Sequence, residues 1–342
     1  MKLYRFTFTS PLHIGKGRLD YGSSETFIHS DSLYAAIAQA WAELGHEDWI
    51  SQQADQSWGF VCSSLFPFQP RANGFSFYFP KPFSPITERT SEGNPQEAKS
   101  WKKLEWLDQE SFQKIIAGHK LTSTEFIKSG CYQIENPNEW VAQQQKTTSP
   151  FLSEIQSRNQ VGHEGEDTKP FYTERIRFAP GGGLFGLFQF EDSTTQSRVE
   201  LALKYLASSG LGTDRNVGNG QFNLSEAEPI PFKLPEGANT YGLSLSLLLP
   251  KDKEQFAVLF SDAKSGYDIK RRGGWISQPH LSLRKKQVWM VKEGAVLCFS
   301  DKNVLSSGIG ATIDLAPSEL QKQNRKVWRK GTALVVPIIV NP

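Results

Sequence analysis

Residues 210–222, Gly210-Leu-Gly212-Thr-Asp-Arg215-Asn-Val-Gly218-Asn-Gly220-Gln-Phe222, constrain this chain more than any other stretch. Four glycines surround one arginine and several small polar groups, between an amphipathic helical segment and a short strand. Glycine takes positive φ and lets a backbone approach a ligand closely. Successive exposed amides make an anion-binding concavity, and a planar guanidinium matches phosphate. A helix C-cap followed by a tight turn uses one or two such glycines; a cradle for a polyanion backbone uses all four. Two familiar phosphate loops are excluded. A P-loop needs Lys-Ser/Thr where Asn219 stands, and in the dinucleotide fingerprint the third glycine's place falls to Arg215.

The 342 residues suit two domains, or one with large insertions. The formal net charge is only +2, so a nucleic-acid site has to be a local concentration of charge. Lys264 to Lys292 holds eight basic residues and one acid, and Lys322 to Lys330 holds five and none. Such runs read either as solvated faces or as polyanion patches. The 12% aromatic content supplies cores and leaves rings for stacking. Three cysteines without CxxC spacing suit a reducing cytoplasm. Neither a signal peptide nor a membrane-spanning run is evident, so a cytoplasmic protein without membrane contact is expected.

Catalytic patterns are thin. HExxH, G-x-S-x-G and spaced histidine ligands are absent from the sequence, so neither a metal site nor a cofactor is expected. His13 follows the first strand in a loop with Lys16 and Arg18. It could act on a 2′-OH as general base or acid, cap a turn, or touch a phosphate. Asp31 reads as a helix N-cap and Asp214 as a turn-former. Arg271-Arg272-Gly273-Gly274-Trp275 offers phosphate and base contacts in five residues, or a bulged edge strand with Trp275 packed inward.

Alternation predicts strands at Lys2–Phe8 and Phe75–Phe79, and Leu33–Leu44 follows the helical period behind Ser30-Asp31-Ser32. A short helix is expected near Glu110–Ile116. Residues 143–170 are poor in apolar residues and read as a mobile segment. Phe171–Phe178 and Leu184–Phe190 flank Pro180-Gly-Gly-Gly183 and read as a β-hairpin. Arg198–Leu206 is helical, and Gln221–Leu224 a strand. The first unit thus reads β-α-β…β-β-α-β with one very large insertion. A linker near Glu226–Pro235 precedes a second unit: a strand at Thr240–Leu249, a helix at Lys251–Phe260, a strand at Tyr267–Ile276, a hairpin from Gln287–Val291 and Ala295–Phe299, and a buried run at Ala333–Val340.

At these residues the chain resembles the RAMP superfamily of CRISPR-associated proteins. That family's glycine-rich loop has the form G-x-G-x-x-x-x-x-G-x-G-x-F, and Gly210 to Phe222 matches every fixed position. Further likenesses run in order: Ser10-Pro-Leu-His-Ile-Gly15, Ser30-Asp31-Ser32-Leu33-Tyr34, Tyr78-Phe-Pro80-Lys81-Pro82, Arg271 to Trp275, and Val327-Trp328-Arg-Lys-Gly331. Together they resemble the type III-A (Csm) effector subunit that holds the 5′ handle of the guide RNA, with residues 90–170 too divergent to place.

The resemblance implies an α+β chain of two ferredoxin-like (RRM-like) domains packed together. Residues 1–235 would form the first, with an insertion at about 82–170 and a thumb-like segment within 140–175; residues 236–342 would form the second. It implies a non-catalytic subunit that holds the crRNA handle beside the polymerase-like large subunit and the backbone RAMP subunit, meeting target RNA indirectly. The motif match carries over Gly210, Gly212, Thr213, Arg215, Asn216, Gly218, Asn219 and Gly220 as RNA-binding, with His13, Lys16, Arg18, Ser30, Arg271 and Arg272 beside them. Arg158, Arg175 and Arg177 are placed near the RNA by position and composition. Three rivals stand against this reading: a metal-independent RAMP endoribonuclease using His13 with Lys16 or Tyr34, the equivalent type III-B subunit, and a structural assembly subunit.

Overall fold

The computed structural model describes residues 1–15, 22–50, 57–83, 104–121, 149–160, 169–237, 240–276, 283–299 and 308–340. The first half runs β1 (Lys2–Phe8), α1 (Ser30–Glu43), β2 (Phe60–Cys62), β3 (Phe66–Arg71), β4 (Gly74–Pro80), β5 (Trp106–Asp108), α2 (Gln109–Ile116), β6 (Phe151–Gln160), β7 (Lys169–Phe178), β8 (Gly183–Phe190), α3 (Ser193–Ser209) and β9 (Phe222–Leu224). The second runs β10 (Tyr241–Ser244), α4 (Lys253–Leu259), β11 (Ile269–Arg272), β12 (Val288–Val291), β13 (Val296–Cys298), β14 (Thr312–Asp314), α5 (Ser318–Gln321), β15 (Trp328–Lys330) and β16 (Val335–Ile338).

Period-2 alternation of apolar residues fixes which side of the first sheet each strand serves. In β8, Leu184 and Phe188 join Tyr4 and Phe6 of β1 beneath α1 and α3, while Phe185 and Leu187 face the opposite way. Strands β3, β8, β1 and β9 lie side by side in that order, all antiparallel. With both helices on one face, this is the ferredoxin-like β-α-β-β-α-β plan. β4 and β5 extend the sheet beyond β3, so residues 106–108 of the expected insertion belong to it.

The second unit repeats the central part of the plan as a sheet ordered β13-β10-β16. Its Leu243, Val336 and Ile338 pack into one buried cluster with Leu3, Phe66, Phe79 and Phe185. The two halves therefore share a core. Each large apolar side chain buried there contributes about 1.5–3 kcal/mol. Polar staples fix the register between the halves: Leu247 N–H donates to Ser30 Oγ (3.0 Å), and Ser246 Oγ donates to the Cys62 carbonyl (2.8 Å).

Four expectations are corrected. β7 does not pair with β8 across Pro180–Gly183; it pairs along its whole length with β6 in a separate two-stranded ribbon, and β8 pairs with β1, β2 and β3. Residues 151–160 of the segment read as mobile are accordingly a strand. β12 and β13 likewise belong to different sheets, pairing with β11 and β10. Asp31 is not an N-cap, because the cap position is His29 and Asp31 sits buried within the first turn.

Candidate nucleic-acid interface

The glycine loop begins where α3 ends. Asp192 starts that helix by accepting from Thr195 N–H (2.7 Å), and Val199, Ala202, Leu203 and Leu206 hold it on the sheet. The loop is then laced to the segment leaving β1. Gly220 N–H donates to the Pro11 carbonyl (2.8 Å), Thr213 N–H to the His13 carbonyl (3.0 Å), and Gln221 N–H to Ser10 Oγ (2.9 Å). Sequence-distant candidates, His13 and the glycine loop, thus meet.

Two glycines have different reasons to be there. At Gly220 a Cβ would overlap the Leu211 carbonyl, whose residue donates its own N–H back to Gly220 (2.9 Å). That is internal close packing. At Gly218 the backbone is left-handed (φ +79°), yet a Cβ there would have no heavy atom within 4 Å. Gly218 therefore presents an open surface. The amides of Gly210, Leu211, Thr213, Val217, Gly218, Asn219, Gly220 and Gln221 all donate to groups of the protein. Anion capacity in this loop consequently falls largely to side chains. Arg215 is half-buried, Asn216 is exposed, and Asn219 is buried with its Nδ2 unpartnered among the described residues.

The β6–β7 ribbon stands beside the loop. Residues opposite one another in an antiparallel pair share a face. The register Glu154↔Arg175, Leu152↔Arg177 and Arg158↔Phe171 therefore puts Arg158, Arg175 and Arg177 on one face. Arg158 Nη1 meets Asp214 Oδ2 of the glycine loop at 3.0 Å, and Arg177 pairs with Glu154 at 2.9 Å. Burial, and next the Arg158 charge, draw the Arg175 guanidinium below its ordinary range, while Asp214 and Glu154 act the other way. The opposite face anchors the ribbon through Ile176 and Phe178 in the main core, and it leaves Ile155 and Tyr172 exposed.

Other sequence candidates are placed differently. His13 is buried, with Nδ1 2.6 Å from the Glu174 carbonyl. Ser30 is buried as an inter-unit staple. Arg271 points to solvent opposite Trp289, whereas Arg272 points inward to Asp31. Lys16 and Arg18 lie outside the described residues. The sequence reading missed a buried charge cluster: Asp31 also binds Arg329, and Lys285 nearby is pushed down to about 8 by burial and by Arg329. Its available signal was one acid at the start of an otherwise apolar helix face. Lys330 is buried too, its ammonium 5.2 Å from the Trp58 ring and 5.5 Å from the Tyr34 ring. The run 322–330 is therefore not simply a solvated face.

Residues 238–338 match the family model of the CRISPR Csm4 C-terminal domain. A Csm4 protein of Thermococcus onnurineus (strain NA1) is 23% identical over 295 residues, covering 84% of this chain and 87% of the relative. The Csm4 protein of Mycobacterium tuberculosis (strain CDC 1551 / Oshkosh) is 24% identical over 299 residues, covering 86% and 87%. The chain is similar to Csm4 proteins over most of its length. Among solved structures, a chain of the Csm3-Csm4 subcomplex from the type III-A CRISPR-Cas interference complex superposes with a TM-score of 0.63 at 17% identity, covering all of both chains. A chain of a Csm1-Csm4 cassette in complex with cA4 gives 0.61 at 16% identity, covering 100% of this chain and 98% of that one. At such identities the likeness establishes the fold alone: this chain has an α+β architecture of ferredoxin-like units. Among its described residues no cluster of potential metal ligands occurs, and no helix is long and apolar enough to cross a membrane.

Proposed function

We propose that this chain is a Csm4-type, non-catalytic RNA-binding subunit of a type III-A CRISPR interference ribonucleoprotein, holding the 5′ handle of the crRNA. The observation that carries the reading is the convergence of Arg158, Arg175 and Arg177 on one ribbon face that abuts the loop bearing Arg215 and the open Gly218. Guanidinium groups along such a face bind successive phosphates. The open backbone at Gly218 gives a nucleotide room to approach. His13 gives no support to a nuclease, because its imidazole is buried against the Glu174 carbonyl.

Residues 1–235 would then carry the handle-facing loop and the thumb-like ribbon, with residues 236–342 forming the second ferredoxin-like domain. The match of 238–338 to a C-terminal domain model supports that division. The relatives found in Csm1-Csm4 and Csm3-Csm4 complexes support the polymerase-like large subunit and the backbone RAMP subunit as neighbours. Holding the handle fixes the first guide nucleotide, so each later subunit counts from a set origin along the target duplex. The test is co-purification of the tagged protein from its cytoplasm with sequencing of bound RNA. Short RNAs sharing one repeat-derived 5′ end, with Csm-type partners, are expected. A lone protein that yields cleaved repeat fragments in EDTA would instead identify a processing nuclease.

A further inference from the structure

Asp214 shapes the glycine loop with its backbone. Its carbonyl accepts from Val217 N–H (3.2 Å) and Asn219 N–H (3.4 Å), closing the turn at 215–217. The carboxylate takes no part in that turn, since it makes no cap hydrogen bond there. It reaches the ribbon instead and meets Arg158 Nη1 at 3.0 Å, with the two side chains 20% and 22% exposed. A loop suited to an anion thus supplies an anion of its own, at the place where it joins the arginine face. Arg175 lies in the same field. Its Nε is buried without a hydrogen-bond partner among the described residues, and Asp214 is the foremost carboxylate acting on its charge.

A carboxylate and a phosphodiester offer a guanidinium the same geometry, two oxygens in a plane. We propose that in the free protein Asp214 occupies the place of an RNA phosphate, holding Arg158 until a phosphodiester displaces it. The inference rests on the RNA-binding reading above. Asp214 makes the site selective by threshold. A lone small anion gains one contact and must break one, whereas a strand gains contacts at Arg175, Arg177 and Arg215 that outweigh the loss. The Asp214 side chain is already 20% exposed and its neighbours Thr213 and Asn216 are exposed, so a displaced carboxylate turns into water without moving the turn carbonyl.

The test compares the full chain with Asp214→Asn, which keeps the side-chain shape and removes the charge. The probe is a labelled single-stranded RNA beginning with the repeat-derived sequence, titrated at several salt concentrations. Asp214→Asn should bind about fivefold tighter, the size of one part-exposed ion pair that no longer has to be broken. Its log–log salt slope should steepen by up to about 0.7, because no freed carboxylate takes up a cation and offsets the ions released from the strand. Adding Arg158→Gln to Asp214→Asn should cancel the gain. Thermal unfolding checks the fold, and Asp214→Ser, a turn-compatible residue, is the second variant should Asn disturb the loop. Equal or weaker binding by folded variants, with wild-type binding intact, overturns the inference and leaves the RNA reading standing. Absence of RNA binding by wild type and variants alike overturns both.

Discussion

Arg272 grips Asp31 with two nitrogens, Nε to Oδ2 at 2.8 Å and Nη2 to Oδ1 at 2.9 Å, across 241 residues of sequence. Arg271, one residue earlier on the same strand, turns to solvent opposite Trp289. Strand alternation thus gives adjacent arginines opposite duties. Arg272→Ala should cost about 3–5 kcal/mol of stability by leaving Asp31 short of a partner. Arg271→Ala should leave the urea midpoint within about 0.5 kcal/mol of wild type, as a surface change does. Paired urea titrations decide this, and equal losses would refute the division of duties.

Acid should attack the same cluster. Burial alone would raise the Asp31 carboxyl, but Arg272 and Arg329 overcome it and hold the group far below the usual carboxylate range. Glu293 is also lowered against its burial, by His29 and Ser64. Both carboxyls therefore contribute stability above their ordinary values, near 4, and lose it progressively as pH falls below them. Asp31→Asn should lower stability at neutral pH and flatten the acid limb of a stability–pH curve. An unchanged acid limb in that variant would exclude Asp31 as a source of it.

Lys330 predicts the opposite slope. Burial pushes its ammonium down to about 8, and burial together with Arg329 does the same for Lys285. Between pH 8 and pH 9 the folded protein releases these protons before the unfolded chain does, so stability rises with pH. Each group adds at most about 1.4 kcal/mol per pH unit. The gain is clearest below pH 9, because Cys62 has a thiol raised by burial and opposes it once the unfolded chain's cysteine ionises. Lys330→Met should reduce the rise by about half, read as the shift in urea midpoint between pH 8 and pH 9.

The glycine loop separates shape from contact. Gly220→Ala would overlap the Leu211 carbonyl and should lower the thermal midpoint or prevent folding. Gly218→Ala meets only open space, with about 1–2 kcal/mol of left-handed backbone strain. It should remain folded and lose RNA affinity. A folded Gly218→Ala protein with unchanged RNA affinity would remove that position from the interface.

What the sequence discloses and what it hides divide along physical lines. β1, α1 and α3 are legible because each has one face on the main core, and so keeps a clean period. The β6–β7 ribbon is not, since polar and charged residues occupy much of both faces and its apolar residues meet the core only near one end, at Phe151, Ile176 and Phe178. The glycines at 181–183 suggest a hairpin, yet the strands they join belong to different sheets, a tertiary choice that local turn chemistry does not record. Asp31 resembles a cap because its partners stand hundreds of residues away. The glycine loop's motif is plain in sequence, but its division into packed Gly220 and open Gly218 depends on the Leu211 carbonyl.

The Asp31 cluster also bears on how such a chain is made. The carboxylate leaves the ribosome early, while Arg329 follows 298 residues later, with the strands that cover the back of the first sheet. Until then the first unit has a bare apolar surface and, beside it, a charge cluster lacking one of its two arginines, features that attract chaperones and proteases. A product truncated before residue 329 keeps that defect permanently. Synthesis of β15 and β16 is thus a condition of burying the cluster, and copies terminated before them carry a mark by which the cell can remove them.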